Sequence, residues 1–150
     1  KSYEWGRKLC EKLKELIQQQ DPKKIAAIIM TVTNNSSGGQ PVSMANVKAV
    51  REICDQYSLM LVIDGCRIAE NSYFVKHREA GYESKTYKEI AQEMLRLADA
   101  FVMSAKKDGL VNMGGLLTLK DDELSRLCTN LLIISEGFVT YGGLSGRDME

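Results

Sequence analysis

Phe101-Val102-Met103-Ser104-Ala105-Lys106-Lys107-Asp108-Gly109-Leu110 is the stretch on which the reading of this chain turns. An apolar, β-prone run over 100–103 stops at a serine, two adjacent lysines and an aspartate, and the pair Gly114-Gly115 follows. The pattern predicts a buried strand that delivers two amines to its end. A lysine in that position, desolvated by the sheet and beside a second cation, would be able to attack a carbonyl. The same residues also suit a solvated turn, so the neighbouring strands have to decide.

The run over 25–32, with Ile25-Ala26-Ala27-Ile28-Ile29-Met30 at its centre, is almost wholly apolar, as in a parallel-sheet strand covered on both faces. It empties into Thr33-Asn34-Asn35-Ser36-Ser37-Gly38-Gly39-Gln40-Pro41, a polar loop at a strand's C-terminal end, where open α/β sheets bind ligands. A second such strand, Leu59-Met60-Leu61-Val62-Ile63, runs directly into Asp64-Gly65-Cys66-Arg67. Between them Ser43 can cap a helix whose apolar face is Val47, Val50, Ile53, Cys54 and Tyr57, which makes a β-α-β unit.

Other elements follow from spacing. Trp5, Leu9, Leu13, Leu16 and Ile17 predict an amphipathic helix with a core-facing stripe, ended by Asp21-Pro22. A further helix is expected over 68–78, and Thr86-x-x-Glu89 is a capping box ahead of Ile90, Met94, Leu95 and Leu97. The run Gly115-Leu116-Leu117-Thr118-Leu119 follows the lysines after only ~10 residues, too few for a helical crossover, so it should pair antiparallel. Asp121 or Asp122 then opens a helix with Leu124, Leu127, Cys128, Leu131 and Leu132 expected inward.

The expected fold class is therefore α/β, a mostly parallel sheet with helices on both faces. No closing strand is visible at either end, which reads as part of a larger sheet with exposed apolar edges and a tendency to self-associate.

Composition narrows the function. Over 150 residues, 20 basic and 20 acidic side chains cancel without a run of one sign, so neither nucleic acid nor a membrane surface is an expected partner. Small molecules and copies of the chain itself are. Cys10, Cys54, Cys66 and Cys128 form no C-x-x-C pair and read as reduced thiols. Lys1-Ser2-Tyr3-Glu4-Trp5 does not resemble a signal peptide, and the expected location is the cytoplasm.

Three expected strand ends now carry Asn35, then Asp64 with Arg67, then Ser104 with Lys106 and Lys107. Each has an ordinary explanation alone: turn former, helix cap, surface ion pair, strand terminator. Gathered in one cleft they supply an amide, a carboxylate, a guanidinium, a hydroxyl and an amine. That set suits pyridoxal phosphate, which needs a lysine for its aldehyde, an acid beside its pyridine nitrogen, and donors for ring oxygen and phosphate. A nucleotide site is not supported, because neither G-x-G-x-x-G nor G-x-x-x-x-G-K-[ST] occurs. A metal centre is poorly supported with His77 as the single histidine.

The residues also carry a resemblance. Gly38-Gly39-Gln40-Pro41-Val42-Ser43-Met44-Ala45-Asn46, Asp64-x-x-Arg67-x-x-Glu70-Asn71, Ser104-Ala105-Lys106-Lys107-Asp108 and Tyr141-Gly142-Gly143-Leu144-x-Gly146-Arg147-Asp148-Met149-Glu150 resemble the β-eliminating lyases, the family of tryptophanase and tyrosine phenol-lyase. The likeness runs from about Ile25 onward. It implies the aspartate-aminotransferase type of fold, fold type I of the pyridoxal-phosphate enzymes. Residues 1–150 would be a central fragment of the large domain, without its upstream strands or the C-terminal small domain.

The resemblance implies that Lys107 is the Schiff-base lysine and proton carrier, that Asp64 pairs with the pyridinium nitrogen, and that Asn35 and Arg67 contact the ring oxygen. It places Ser104 at the phosphate with Lys106 adding charge nearby. It further implies a monovalent cation, usually potassium, at the backbone carbonyl of Asn112, and it offers Phe138 and Tyr141 to a neighbouring subunit's site in a homo-oligomer, the parent being a tetramer. The implied reaction is a carbon–carbon β-elimination on an amino acid. Thr31-Val32-Thr33 and Glu136-Gly137-Phe138 favour L-tryptophan, split to indole, pyruvate and ammonia; Val111-Asn112 also fits the tyrosine enzyme, and L-tyrosine stays open as substrate. A non-catalytic structural or assembly role for the 150-residue piece also stays open.

Overall fold

Local signals set most element ends in this computed structural model, which describes residues 2–34 and 38–138. Helix α1 spans Ser2–Gln20 and gives way to a 3-10 turn at Pro22, where proline supplies no amide to continue the helix. Strand β1 is Ala27–Thr31. Helix α2, Met44–Tyr57, starts where the Ser43 hydroxyl accepts the Asn46 N–H, and it ends at Ser58 in the left-handed region. Strand β2 is Met60–Asp64 and helix α3 is Ile68–Arg78. Helix α4, Tyr87–Leu97, opens on the expected Thr86/Glu89 box with both reciprocal bonds made. Strands β3, Ala100–Ser104, and β4, Gly115–Leu119, precede α5, Asp122–Ser135, whose cap is Asp121.

The sheet order is β1-β2-β3-β4, with the first three strands parallel and β4 antiparallel to β3, as its short connection requires. Register sorts the faces. Ile28 and Met30 pair with Leu61 and Ile63, and Ile63 with Phe101, so these point one way; Thr31, Asp64 and Val102 share the opposite face. On the first face Ile63 is buried with Met44 and Val47 of α2, Val75 of α3, and Ile90 and Met94 of α4. Leu61 is buried with Val50, Ile53 and Cys54 of α2 and Ile17 of α1.

The Arg51 guanidinium of α2 ties this layer to the far edge of the sheet. It donates to Asp99 Oδ2 at 2.6 Å and to the carbonyls of Leu97 and Leu59, and the same Asp99 oxygen accepts the Leu61 N–H at 2.8 Å. Burial alone would push the Asp99 carboxyl up; the Leu61 amide and Arg51 overrule it and hold it below its ordinary value.

Three expectations need correction. Among the α1 stripe residues whose burial is described, Leu9 to Ile17, only Ile17 is fully buried, at 1% exposure, while Leu9 and Leu16 line an open groove of about 270 Å³ beside β1. Ile29 is 69% exposed; the second cover that its apolar run implies is not among the described residues. Helix α5 has no buried residue, and Leu127, Leu131 and Leu132, expected inward, are exposed, because among the described residues it meets little besides β4. Its amphipathic spacing is real and its partner surface is not among the described residues.

Glu93 on α4 offers a test of the surface electrostatics. Lys85 at 2.5 Å, Lys48 at 2.9 Å and the Tyr82 hydroxyl at 2.8 Å converge on its carboxylate. The Lys85 hydrogen bond, against some desolvation, takes its pKa from 4.5 to about 2. A depressed folded pKa contributes stability that is complete above the unfolded value and is lost as pH falls through the folded one. Glu93→Gln should therefore be less stable than the parent above pH 4.5 and match it near pH 2; urea midpoints across that window would show a constant difference if the pairing were without effect.

Candidate active site

Strands β1, β2 and β3 present their C-terminal ends on one edge, and the turns that leave them are bonded to one another. Directly after Asp64, Gly65 donates its N–H to the Val102 carbonyl at 2.9 Å, drawing the turn against β3. Only glycine fits there: a Cβ would meet Phe101 Cε2 at 2.0 Å. Gly65→Ala should cost about 1–3 kcal/mol through overpacking, read as a lower denaturant midpoint with unchanged slope; a neutral result would mean that the Phe101 ring yields freely.

The Asp64 carboxylate accepts the Thr31 hydroxyl at 3.4 Å through one oxygen and the Cys66 N–H at 3.2 Å through the other, so strand and turn both orient it. Cys66 is the hub. Its thiol accepts the Ser104 N–H at 3.1 Å and its carbonyl accepts the Asp108 N–H at 3.3 Å. Burial pushes the thiol's pKa up, a hydrogen bond with Asp64 acts in the same direction, and the charge of Lys107 pulls it down. Cys66 thus bonds Asp64 and Ser104 directly, and the Asp108 N–H on its carbonyl brings the backbone next to Lys107 against it. The Ser104 Oγ is buried with no hydrogen-bond partner among the described residues, which leaves a polar atom open to a further partner.

The two lysines depart from expectation. Both are exposed rather than desolvated by the sheet, because pairing stops at Ser104 opposite Gly115 and the chain continues outward. The turn that carries them is closed by Ala105 N–H to Gly114, Leu110 N–H to Lys107 and Val111 N–H to Ala105. Its base is fixed to the α3 N-terminus, where Asp108 Oδ2 accepts the Ala69 and Glu70 N–H groups.

Arg67 is half-buried and 3.7 Å from Glu70. It lines a cavity of about 430 Å³ with Thr33, Gly39, Glu70, Tyr73 and Phe74, beside the Asp64–Lys107 group rather than within it. Asn35 and Tyr141 lie outside the described residues; Asn34, the neighbour of Asn35, bridges to Gln40 at the same strand end. Asn112 is exposed in the connection to β4, and Phe138 is exposed after the end of α5. Expected residues 64, 104 and 107 are therefore brought together, with 67 adjoining.

Sequence reasoning missed Cys66, Asp108 and Asn71 as parts of this edge. Asn71 is fully buried, accepts the Val42 N–H at 2.8 Å and the Thr33 hydroxyl at 3.2 Å, and donates to the Val42 carbonyl. Asn71 and Asp108 stand in the motifs that carry the resemblance, but their contacts, like that of Cys66 with Ser104, span 29 to 39 residues, so local spacing assigns them no role.

A family model described as beta-eliminating lyase matches residues 3–142, starting well before residue 25, where the motif resemblance begins. The tryptophanase of Salinibacter ruber is 52% identical over 91% of this chain and 29% of its own length. The tyrosine phenol-lyase of Intrasporangium calvum is 47% identical over 93% of this chain and 30% of its own. The chain thus spans about 30% of the length of these relatives. Among solved structures, an Exiguobacterium protein described as an aromatic amino acid beta-eliminating lyase/threonine aldolase superposes with a TM-score of 0.53 at 21% identity, covering 81% of this chain and 30% of that one. That likeness concerns the fold alone.

Proposed function

The chain belongs to the β-eliminating lyase family, and from that premise we propose that it is the lysine-bearing part of the large domain of a pyridoxal-phosphate lyase acting on L-tryptophan. The observation that carries the reading is that Cys66 bonds Asp64, Ser104 and the amide of Asp108, the residue after Lys107, at adjoining strand ends. The residues fit the cofactor: Ser104 offers a buried hydroxyl with no partner among the described residues, Asp64 an oriented carboxylate, and Lys107 a primary amine. When bound, pyridoxal phosphate supplies an electron sink for the negative charge left on the substrate's α-carbon.

The chain's own residues do the rest. Lys107 would hold the cofactor's aldehyde and, once released by the incoming amino acid, act as the proton carrier on the substrate's α-carbon. Exposure suits that second task, since the amine has to swing. Asp64, held by Thr31 and Cys66, would face the pyridine nitrogen with a fixed negative charge. Ser104 would donate to the phosphate, with Lys106 adding positive charge nearby. Arg67 and Asn35 would contact the ring oxygen. A potassium ion at Asn112, and Phe138 with Tyr141 offered to a neighbouring subunit of a homo-oligomer in the cytoplasm, complete the proposal. No helix among the described residues is long and apolar enough to cross a membrane.

L-tryptophan is preferred because the 52% identity to the tryptophanase exceeds the 47% to the tyrosine enzyme. The test is product release by the intact protein. Indole from L-tryptophan well in excess of phenol from L-tyrosine supports the reading; the reverse order transfers it to the tyrosine enzyme, and neither product with the cofactor bound overturns it.

A further inference from the structure

Asp108 adjoins Lys107 in sequence, yet its carboxylate leaves the lysine turn and crosses to α3. Its Oδ2 accepts the Ala69 N–H at 2.6 Å and the Glu70 N–H at 3.3 Å. Those amides belong to the first turn of α3, where N–H groups lack intrahelical acceptors and the helix dipole favours an anion. Arg67, the residue that stands at the cap position, makes no side-chain capping bond, so the cap is delivered from a distant segment. The Asp108 N–H reaches back to the Cys66 carbonyl at 3.3 Å, and the Ser104 N–H to the Cys66 thiol at 3.1 Å.

The turn carrying Lys107 is therefore fastened at its base to the turn carrying Asp64 and Arg67. This fastening matters because Lys107 itself is exposed. Side-chain packing does not fix where its amine starts; the backbone does. β4 pairing gives no help beyond Gly115, and the connection passes through Leu110 at φ 57° and Gly114 at φ 111°. The Asp108 carboxylate is the contact that carries the lysine turn onto α3, beside the two links to Cys66.

We infer that Asp108 is a positioning residue for Lys107: seated on the N-terminus of α3, its carboxylate sets the distance between the Lys107 amine and the Asp64 carboxylate. The inference rests on the function proposed above, and it concerns this chain's own residues. A displacement of about 1 Å at a reacting group is enough to cost ~10²-fold in rate. The effect should therefore appear in kcat rather than in KM.

The experiment compares the intact protein with Asp108→Ala, Asp108→Asn and, as a control cap remote from the lysines, Asp121→Ala, whose side chain accepts the Leu124 N–H of α5. Asp108→Ala should lower kcat about 10- to 100-fold with KM within about twofold, and Asp108→Asn, which keeps an acceptor, should recover much of the loss. Asp121→Ala should lower the melting temperature with kcat unchanged. A second readout needs no cofactor: in the cofactor-free protein, amide exchange at Ala69 and Glu70 should quicken in Asp108→Ala, and acylation of Lys107 relative to Lys106 by an amine reagent should change. Wild-type kcat in Asp108→Ala, or a loss matched by Asp121→Ala, overturns the positioning role. So does an unchanged labelling ratio. If the wild-type protein binds no pyridoxal phosphate, the proposed function fails, while the exchange and labelling results still decide the position of the lysine turn.

Discussion

Lys107→Ala in the intact protein is expected to reduce turnover by ~10⁴-fold or more, because one amine is asked both to hold the cofactor and to move a proton. Lys106→Ala, which removes only a nearby charge, should cost about tenfold at most, the order of magnitude of a single screened electrostatic contact. The pair is a demanding test, since the two residues are adjacent, both exposed, and indistinguishable by composition. What separates them is placement: Lys107 directly precedes Asp108, whose N–H bonds the carbonyl of Cys66, the residue that also binds Asp64 and Ser104. Borohydride reduction of the cofactor-loaded protein followed by peptide mapping reads the assignment directly. An adduct on Lys106, or a Lys107→Ala protein that still turns over at the parental rate, would remove the centre of the proposal.

The second large effect is on stability. Asn71→Ala should destabilise the chain by about 3 kcal/mol, because it strips partners from several buried groups at once. The Val42 N–H and carbonyl and the Thr33 hydroxyl all converge on this one amide, which has no exposed surface. Thr33 is moreover a β-branched residue at φ 54°, a conformation that persists only where its surroundings hold it. Losing Asn71 should therefore loosen the loop that follows β1, and with it the cavity shared by Thr33 and Arg67. Chemical denaturation would measure the loss. A cost below about 1 kcal/mol would mean that water replaces the amide in the variant.

Helix starts are legible in the sequence because they are local: Ser43, Thr86 with Glu89, and Asp121 each bond an amide three residues on, and residue spacing alone reveals that bond. Strand direction is legible for a similar reason, since the short link ahead of Gly115 allows only an antiparallel return. Burial is less legible. The leucines of α5 and Ile29 of β1 have the composition of core residues, yet composition reports what a surface can bury and not whether a partner lies there.

The sequence by itself determined the order of elements, the residue types at the strand ends and the family to which they belong, because turn chemistry, hydrophobic period and motif spacing are properties of neighbours along the chain. Only the tertiary structure decided that Cys66 joins Asp64 to Ser104, that Asp108 crosses to α3, and that both lysines stand outside the sheet. Those facts depend on which backbone amides are left without partners when strands and helices come together. That accounting closes only in three dimensions.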